Sequence, residues 1–191
     1  NNLTEFPIKD GAFTCAYFSL SDTYIFFSST LHLGSECPEI YKDPNPQKYI
    51  WPLRDYEIFR YENGKVVQLT DNPGYNAETT IHPKEEKVIF TSLRDGDINL
   101  FEMDYDGENV VQITKEYGYD GGAFYSPEGD RIVWRAWYPS SQEEKDQWKN
   151  NLTKKFIESV PLDIYVAKRD GSEKERLTNN RATNWAPSWH P

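Results

Sequence analysis

The stretch "VVQLT" at 66–70 returns as "VVQIT" at 110–114, 44 positions later. The same offset carries Gly74-Tyr75 onto Gly118-Tyr119, Pro83 onto Pro127 and "VIF" 88–90 onto "IVW" 132–134. A second offset of 64 carries Asp106-Gly107 onto Asp170-Gly171, Leu100 onto Ile164, Ile113-Thr114 onto Leu177-Thr178 and Pro127 onto Pro191. A repeat of this length means that one supersecondary unit buries its faces against copies of itself. The extra 20 positions in the second offset are an insertion between Trp134 and Asp163. A similar insertion of 19 lies between Ser28 and Tyr56, because "IFF" 25–27 precedes "VIF" by 63.

Each unit holds four short runs of strand-forming residues. In the middle unit they are "ETTIHP" (78–83), "KVIFTS" (87–92), "INLFEMD" (98–104) and "VVQIT" (110–114). The connections "HPKEEK" and "DYDGEN" are turns, since Pro fixes φ and Asp and Gly supply the remaining turn geometries. "SPEGDR" (126–131) and "KRDGSE" (168–173) occupy the same places in the next unit. Period-two alternation sets Ile98, Leu100 and Glu102 on one face and Asn99, Phe101 and Met103 on the other. Four antiparallel strands per repeat of this size define an all-β chain, a β-propeller of four-stranded antiparallel blades.

"SPEGDRIVW", "TSLRDGDINLFEMDYDGENVVQIT" and "LDIYVAKRDGSEKERLT" resemble the TolB-type propeller repeat. Its pattern is a Ser-Pro-Asp-Gly turn, an apolar strand, an Asp-Ile-Tyr strand, an Asp-Gly turn and Leu-Thr. The likeness runs from about residue 12 to 191 and is weaker in the first unit, where "SLSDTY" and "NG" replace the usual turns. It implies one propeller domain over 1–191, six-bladed when complete, with seven blades as the alternative. Blades are expected at about 12–77, 78–121 and 122–184, the next starting at 185–191, with insertions at 31–54 and 138–160. The rest of the ring is expected from further sequence or from a second chain. The resemblance also implies a bacterial periplasmic or cell-envelope protein. The first residues "NNLTEFPIKDG" lack Met and an apolar run, so the chain reads as processed or partial.

The 191 residues carry 21 Lys and Arg against 31 Asp and Glu, a net charge of -10. No basic cluster could neutralise a phosphate backbone, so nucleic acid is not an expected partner. No run approaches the ~18 apolar residues of a membrane helix. Cys15 and Cys37 are either one disulfide or two free thiols. The "NLT" sequons at Asn2 and Asn151 are read as chance.

Antiparallel order sorts the connections. With the strands of a blade lettered A to D from the inside, the A–B and C–D turns share one face. The B–C loops and the D-to-A links share the other. Both insertions are B–C loops, and long loops on one face mark a binding surface. This face could bring together His32, Glu78, Arg94, Asp97, Asp120, Arg135, Trp148 and Trp185 as a mixed-charge funnel for a peptide or protein partner. Competing structural roles are evident for each. Asp97 suits bonding to loop backbone. Arg94 and Arg135 could pair with Glu78 or Asp120, or take an anion. Tyr75 and Tyr119 suit packing between blades. Asp106 and Asp170 are turn formers. His82 and His190 lie on the A–B side and are set aside as catalytic groups. Residues 140–159 read as a short helix, with a capping box from Ser140 and Glu143 or Ser141 and Glu144. Its apolar stripe is Trp148, Leu152 and Phe156, which either packs inward or docks a partner. "CPEIYKDPNPQKYIWP" reads as an ordered loop over the funnel.

No G-x-S-x-G elbow, H-E-x-x-H or phosphate-binding Gly loop is present. No catalytic residue, metal ligand set or cofactor is therefore assigned. The expected function is a non-catalytic envelope scaffold that binds a protein or peptide at the funnel. The alternative is the gating propeller of a prolyl-oligopeptidase-type serine peptidase whose catalytic domain lies outside this chain. A weaker third reading is a lyase or hydrolase using His32 with a divalent metal.

Overall fold

The computed structural model describes residues 5–42 and 48–190. The sequon Asn2, Pro191 and positions 43–47 of the first insertion lie outside the described residues. In chain order the strands are β1 (Phe13–Phe18), β2 (Ile25–Ser29), β3 (Ile50–Pro52), β4 (Glu57–Glu62), β5 (Lys65–Gln68), β6 (Asn76–Ile81) and β7 (Lys87–Ser92). They continue as β8 (Asn99–Asp104), β9 (Val111–Gln112), β10 (Tyr119–Tyr125) and β11 (Arg131–Trp137). Helix α1 (Gln142–Thr153), β12 (Phe156–Glu158), β13 (Asp163–Lys168) and β14 (Glu175–Arg176) complete the chain.

Three four-stranded antiparallel sheets result, in the orders β1-β2-β4-β5, β6-β7-β8-β9 and β10-β11-β13-β14. These are propeller blades, each running from an inner to an outer strand. Both faces of the middle blade are covered by its neighbours. Leu100 joins Ile89, Ile132 and Trp134 in the core toward the third blade. Phe101 and Met103, on the opposite face of β8, join Phe26, Ile58 and Phe90 toward the first. The alternation of "INLFEM" thus separates two cores rather than core from solvent.

The recurring Thr at the end of each outer strand closes its blade. Ile58, Leu100 and Ile164 donate their backbone N–H groups to the hydroxyls of Thr70, Thr114 and Thr178, at 2.8, 2.9 and 2.9 Å. Those hydroxyls donate onward to Glu57, Asn99 and Asp163, the first residues of the neighbouring strands. The Asp-Gly turns have a double reason. Asp106 and Asp170 accept from the N–H groups of Glu108 and Ser172, 3.0 Å in each case. Gly107 (φ 91°) and Gly171 (φ 82°) take a left-handed conformation. A side chain there would also strike the Leu69 and Ile113 carbonyls of the preceding blade.

The two insertions meet. β3 and β12 pair antiparallel, with Ile157 opposite Trp51. Leu53 N–H donates to the Lys155 carbonyl (2.8 Å) and Ser159 N–H to that of Tyr49 (2.8 Å). Tyr41 stacks on Phe156 at 4.7 Å. The capping box of α1 is Ser141 with Glu144. The helix ends at Thr153, so Phe156 belongs to β12 and not to a helical stripe. Asn151 is buried within α1, where it accepts from Gln147. Residues 177–190, which include most of the stretch expected to open a further blade at 185–191, carry no strand, and the Trp189 indole donates to the Phe124 carbonyl of β10 at 3.1 Å. Cys15 and Cys37 are both free thiols. Among the described residues no helix is long and apolar enough to cross a membrane.

Thr114→Val keeps the shape of the side chain but strands the Leu100 N–H in a buried site. It should cost about 1–3 kcal/mol of stability, read as a lower denaturant midpoint at unchanged slope.

Candidate functional site

The innermost strands are not regular. Pairing slips between Thr14 and Tyr17 in β1, between Ala77 and Thr80 in β6, and between Gly121 and Phe124 in β10. At each slip one residue takes positive φ: Cys15 (52°), Glu78 (58°) and Gly122 (60°). Ala186, in the same repeat position after the third blade, does so too (50°). Such bulges re-aim a side chain out of the sheet. Only in β6 is that side chain a carboxylate.

Glu78 is held from three directions. Arg135 of β11 forms an ion pair with its Oε1. Thr91 Oγ1 and the Gly122 N–H both donate to Oε2 at 2.9 Å. Arg135 also donates to the Tyr119 hydroxyl at 2.8 Å, and Trp185 lies over the guanidinium at 3.8 Å. Burial penalises the arginine's charge, but Glu78 beside it outweighs this and raises its pKa above the ordinary value. Burial and the Glu78 charge push the Tyr119 hydroxyl up in turn, so it stays a neutral donor and acceptor.

Above this pair opens a cavity of about 240 Å³. Five aromatic rings line it, Tyr49 and Trp51 from the first insertion, Tyr75 before β6, Tyr119 at the start of β10 and Trp185 beyond the third blade, together with the aliphatic Leu53, Ile157, Val160 and Leu162. Trp51 and Trp185 face each other at 5.6 Å between ring centres. Glu158 of β12, opposite Ile50 in the ribbon, sends its side chain to the other face, where it pairs with Lys48 at 3.6 Å.

Of the residues expected in the funnel, Glu78, Arg135 and Trp185 come together here. The others go elsewhere. Arg94 does not pair with Glu78 or Asp120. Its guanidinium lies over the Phe90 and Phe101 rings at 5.0 and 4.9 Å and donates to Ser92 Oγ at 3.0 Å. Asp97 reaches beyond its own loop, accepting from the Gly118 N–H (2.7 Å) in the link before β10 and from the Trp148 indole (2.7 Å). Trp148 is 2% exposed, so the stripe of α1 packs inward and this ring offers no surface to a partner. Asp120 is fully buried and accepts from the Trp134 indole and the Tyr138 hydroxyl, both at 2.6 Å. Burial raises its carboxyl to about 7. His32 is exposed on a short turn with its ring 6.4 Å from Phe59, outside the cavity wall. Among the described residues no group of three or more His, Cys, Asp and Glu side chains could hold a metal ion. His82 is a buried turn anchor that accepts from the N–H groups of Lys84 and Glu85.

Tyr75 and Tyr119 pack between blades, as expected, yet they also line the cavity. Tyr49, Trp51 and Glu158 were not singled out from the sequence. The aromatic content of a Pro-rich insertion was the available signal for the first two. Glu158 had none, because its position depends on β3 pairing with β12.

These blades, with a cavity on the face that carries both insertions, define a β-propeller. More narrowly, the fold is that of a TolB-like β-propeller. A TolB homolog from Chlorobaculum tepidum is 27% identical over 48% of this chain and 26% of its own length. A TolB-type structure from Agrobacterium tumefaciens superposes with a TM-score of 0.52 at 18% identity, over 90% of this chain and 68% of that one. TolB from Acinetobacter baumannii gives 0.52 at 15% identity, over 88% of this chain and 44% of that one. An oligogalacturonate lyase in complex with manganese gives the same 0.52 at 12% identity, over 91% and 43%. At such identities these structures share the fold alone. The chain spans about a quarter of the length of its curated relative. No family model matches it.

Two outcomes follow from the buried charges. Glu78→Gln leaves Arg135 buried and unpaired and should cost about 3 kcal/mol or more, whereas Glu78→Gln with Arg135→Met should recover much of it by thermal or urea unfolding. For Asp120 the folded pKa is raised, so the folded state binds the proton more tightly than the unfolded one. Its contribution is greatest below the unfolded pKa and is lost as pH rises through about 7. Asp120→Asn should therefore flatten the fall in stability between pH 4 and 7.

Proposed function

We propose that this chain is a non-catalytic propeller scaffold of the bacterial periplasm or cell envelope that binds a segment of a protein partner on its insertion face. The observation that carries the reading is the cavity of aromatic rings set over the Glu78–Arg135 pair. Aromatic side chains supply large rigid contact area at low entropic cost, which is why they dominate binding hot spots. Trp51 and Trp185 remain 40% and 48% exposed although each packs against the other. Large apolar rings left open over a concave site mark a recognition surface. The TolB-like fold supports the envelope location and a protein partner.

The test is selection of dodecamer peptides from a phage-displayed library on the whole chain. Selected peptides should lose most of their binding on Trp51→Ala and on Trp185→Ala. They should keep it on Lys84→Ala and Asp106→Ala, which lie on the opposite face. Peptides indifferent to both tryptophans and sensitive to the opposite-face variants would overturn the assignment.

A further inference from the structure

We propose that the partner group entering the cavity is an uncharged ring tipped by a hydroxyl, a tyrosine side chain, and that the Tyr75 hydroxyl donates to its oxygen. This rests on the reading of that cavity as the peptide site. Tyr75 is 5% exposed, yet among the described residues no acceptor takes its hydroxyl proton. The sealed polar atoms without a partner lie elsewhere, the Thr79 and Tyr105 hydroxyls among them, so the Tyr75 oxygen reaches open space. Its electrostatic neighbours are Glu78, Tyr119 and Arg135, and Tyr75 lines the cavity together with the first two. The space it reaches is therefore the cavity floor. Burial and the Glu78 charge hold the phenol well above its ordinary range, so it keeps the proton it would donate.

The remaining wall selects an uncharged and mostly apolar body. Leu53, Ile157, Val160 and Leu162 stand there with the Trp51 and Trp185 rings. Glu78 already holds Arg135 and accepts from Thr91 and Gly122. Arg135 is in turn committed to Glu78 and covered by Trp185. Glu158 is on the other face of the ribbon with Lys48. A side chain of either charge would therefore lose its water without gaining a free counter-charge. A planar ring gains instead, since stacked and edge-to-face contacts add to the apolar area it buries. The volume of about 240 Å³ far exceeds the ~10–15 Å³ that one water needs, so the cavity admits a much larger group.

Apolar walls alone would suit phenylalanine or leucine equally well. The Tyr75 proton decides against them. A ligand that fills the cavity drives water from it, and it must then offer an acceptor or leave a buried donor bare. Tyrosine carries its single oxygen at the far end of an apolar ring, so it meets the walls with the ring and the floor with the tip.

The experiment uses blocked pentapeptides, acetyl-Ala-Ala-Xaa-Ala-Ala-amide, with Xaa as Tyr, Phe, Leu, Arg or Glu. Binding is followed through the indole N–H resonances of Trp51 and Trp185, assigned by their loss in Trp51→Phe and Trp185→Phe. On the unchanged chain the Tyr peptide should shift both resonances and bind about fivefold more tightly than the Phe peptide. Tyr75→Phe should bring the Tyr peptide down to the affinity of the Phe peptide, a selective loss that general damage to the fold does not produce. If Phe or Leu binds as tightly as Tyr, or if the Tyr advantage survives Tyr75→Phe, the proposal is wrong while the peptide site stands. Tightest binding by the Arg or the Glu peptide would overturn it in favour of a charged partner group. If no peptide shifts either indole, the proposal and the cavity's role as a peptide site fall together.

Discussion

One backbone hydrogen bond, made at both junctions between the described blades and once more after the third, sets the angle between blades. The N–H of Asn76 donates to the carbonyl of Tyr56, that of Asp120 to Ile98 and that of Asn184 to Leu162, each at 2.9 Å. In each case a residue at the start of the inner position, Asn76, Asp120 or Asn184, is tied to the residue just before the third strand of the preceding blade. A blade cannot rotate about its neighbour without breaking this bond inside a dry junction, where an unpaired amide is costly. Side chains reinforce the same point. Asn76 Nδ2 donates to Glu57 at 3.1 Å, and Asn184 Nδ2 donates to the Leu162 carbonyl at 2.7 Å.

That arrangement explains why two carboxyls sit so far from their ordinary range. Glu57 and Asp120 are both pushed to about 7 by burial, and the hydroxyl, amide and indole donors around them only partly offset it. They occupy opposite sides of successive junctions, Glu57 on the third strand and Asp120 on the inner one. Neither reaches the cavity. Strongly shifted groups are often read as functional, but here the shift belongs to the joint between blades.

The sequence made the blades legible because their devices are local and repeat. The Asp-Gly turns, the terminal Thr and the apolar alternation recur at fixed offsets, and each needs only its own blade and the next. The parity of strands also placed both insertions on one face, and β3 pairing with β12 agrees with it. What stayed hidden depends on contacts without a period. Asp97 holds Trp148 across 51 positions of sequence, and this turns the stripe of α1 inward. Arg94 and Arg135 sit near the ends of the second strands of adjacent blades, but only Arg135 meets a bulged glutamate. Arg94 finds Phe90 and Phe101 instead.

The cavity inherits its shape from these joints. Its walls come from the first and third blades, while its floor carboxylate comes from the second. Trp51 is carried by β3, which pairs with β12, and Trp185 follows the last inner-strand tie at Asn184. A change of blade angle at either junction would move Trp51 and Trp185 relative to each other and to Glu78. The distance between two indoles is thus fixed by backbone bonds at the blade junctions and not by contacts within the cavity alone. That rigidity favours recognition, since rings held in place lose little further freedom when a ligand enters between them. It also separates two kinds of substitution. Changes at Trp51 or Trp185 alter what the cavity holds, whereas changes at Thr114, Asn76 or Asp120 alter whether the walls face each other at all.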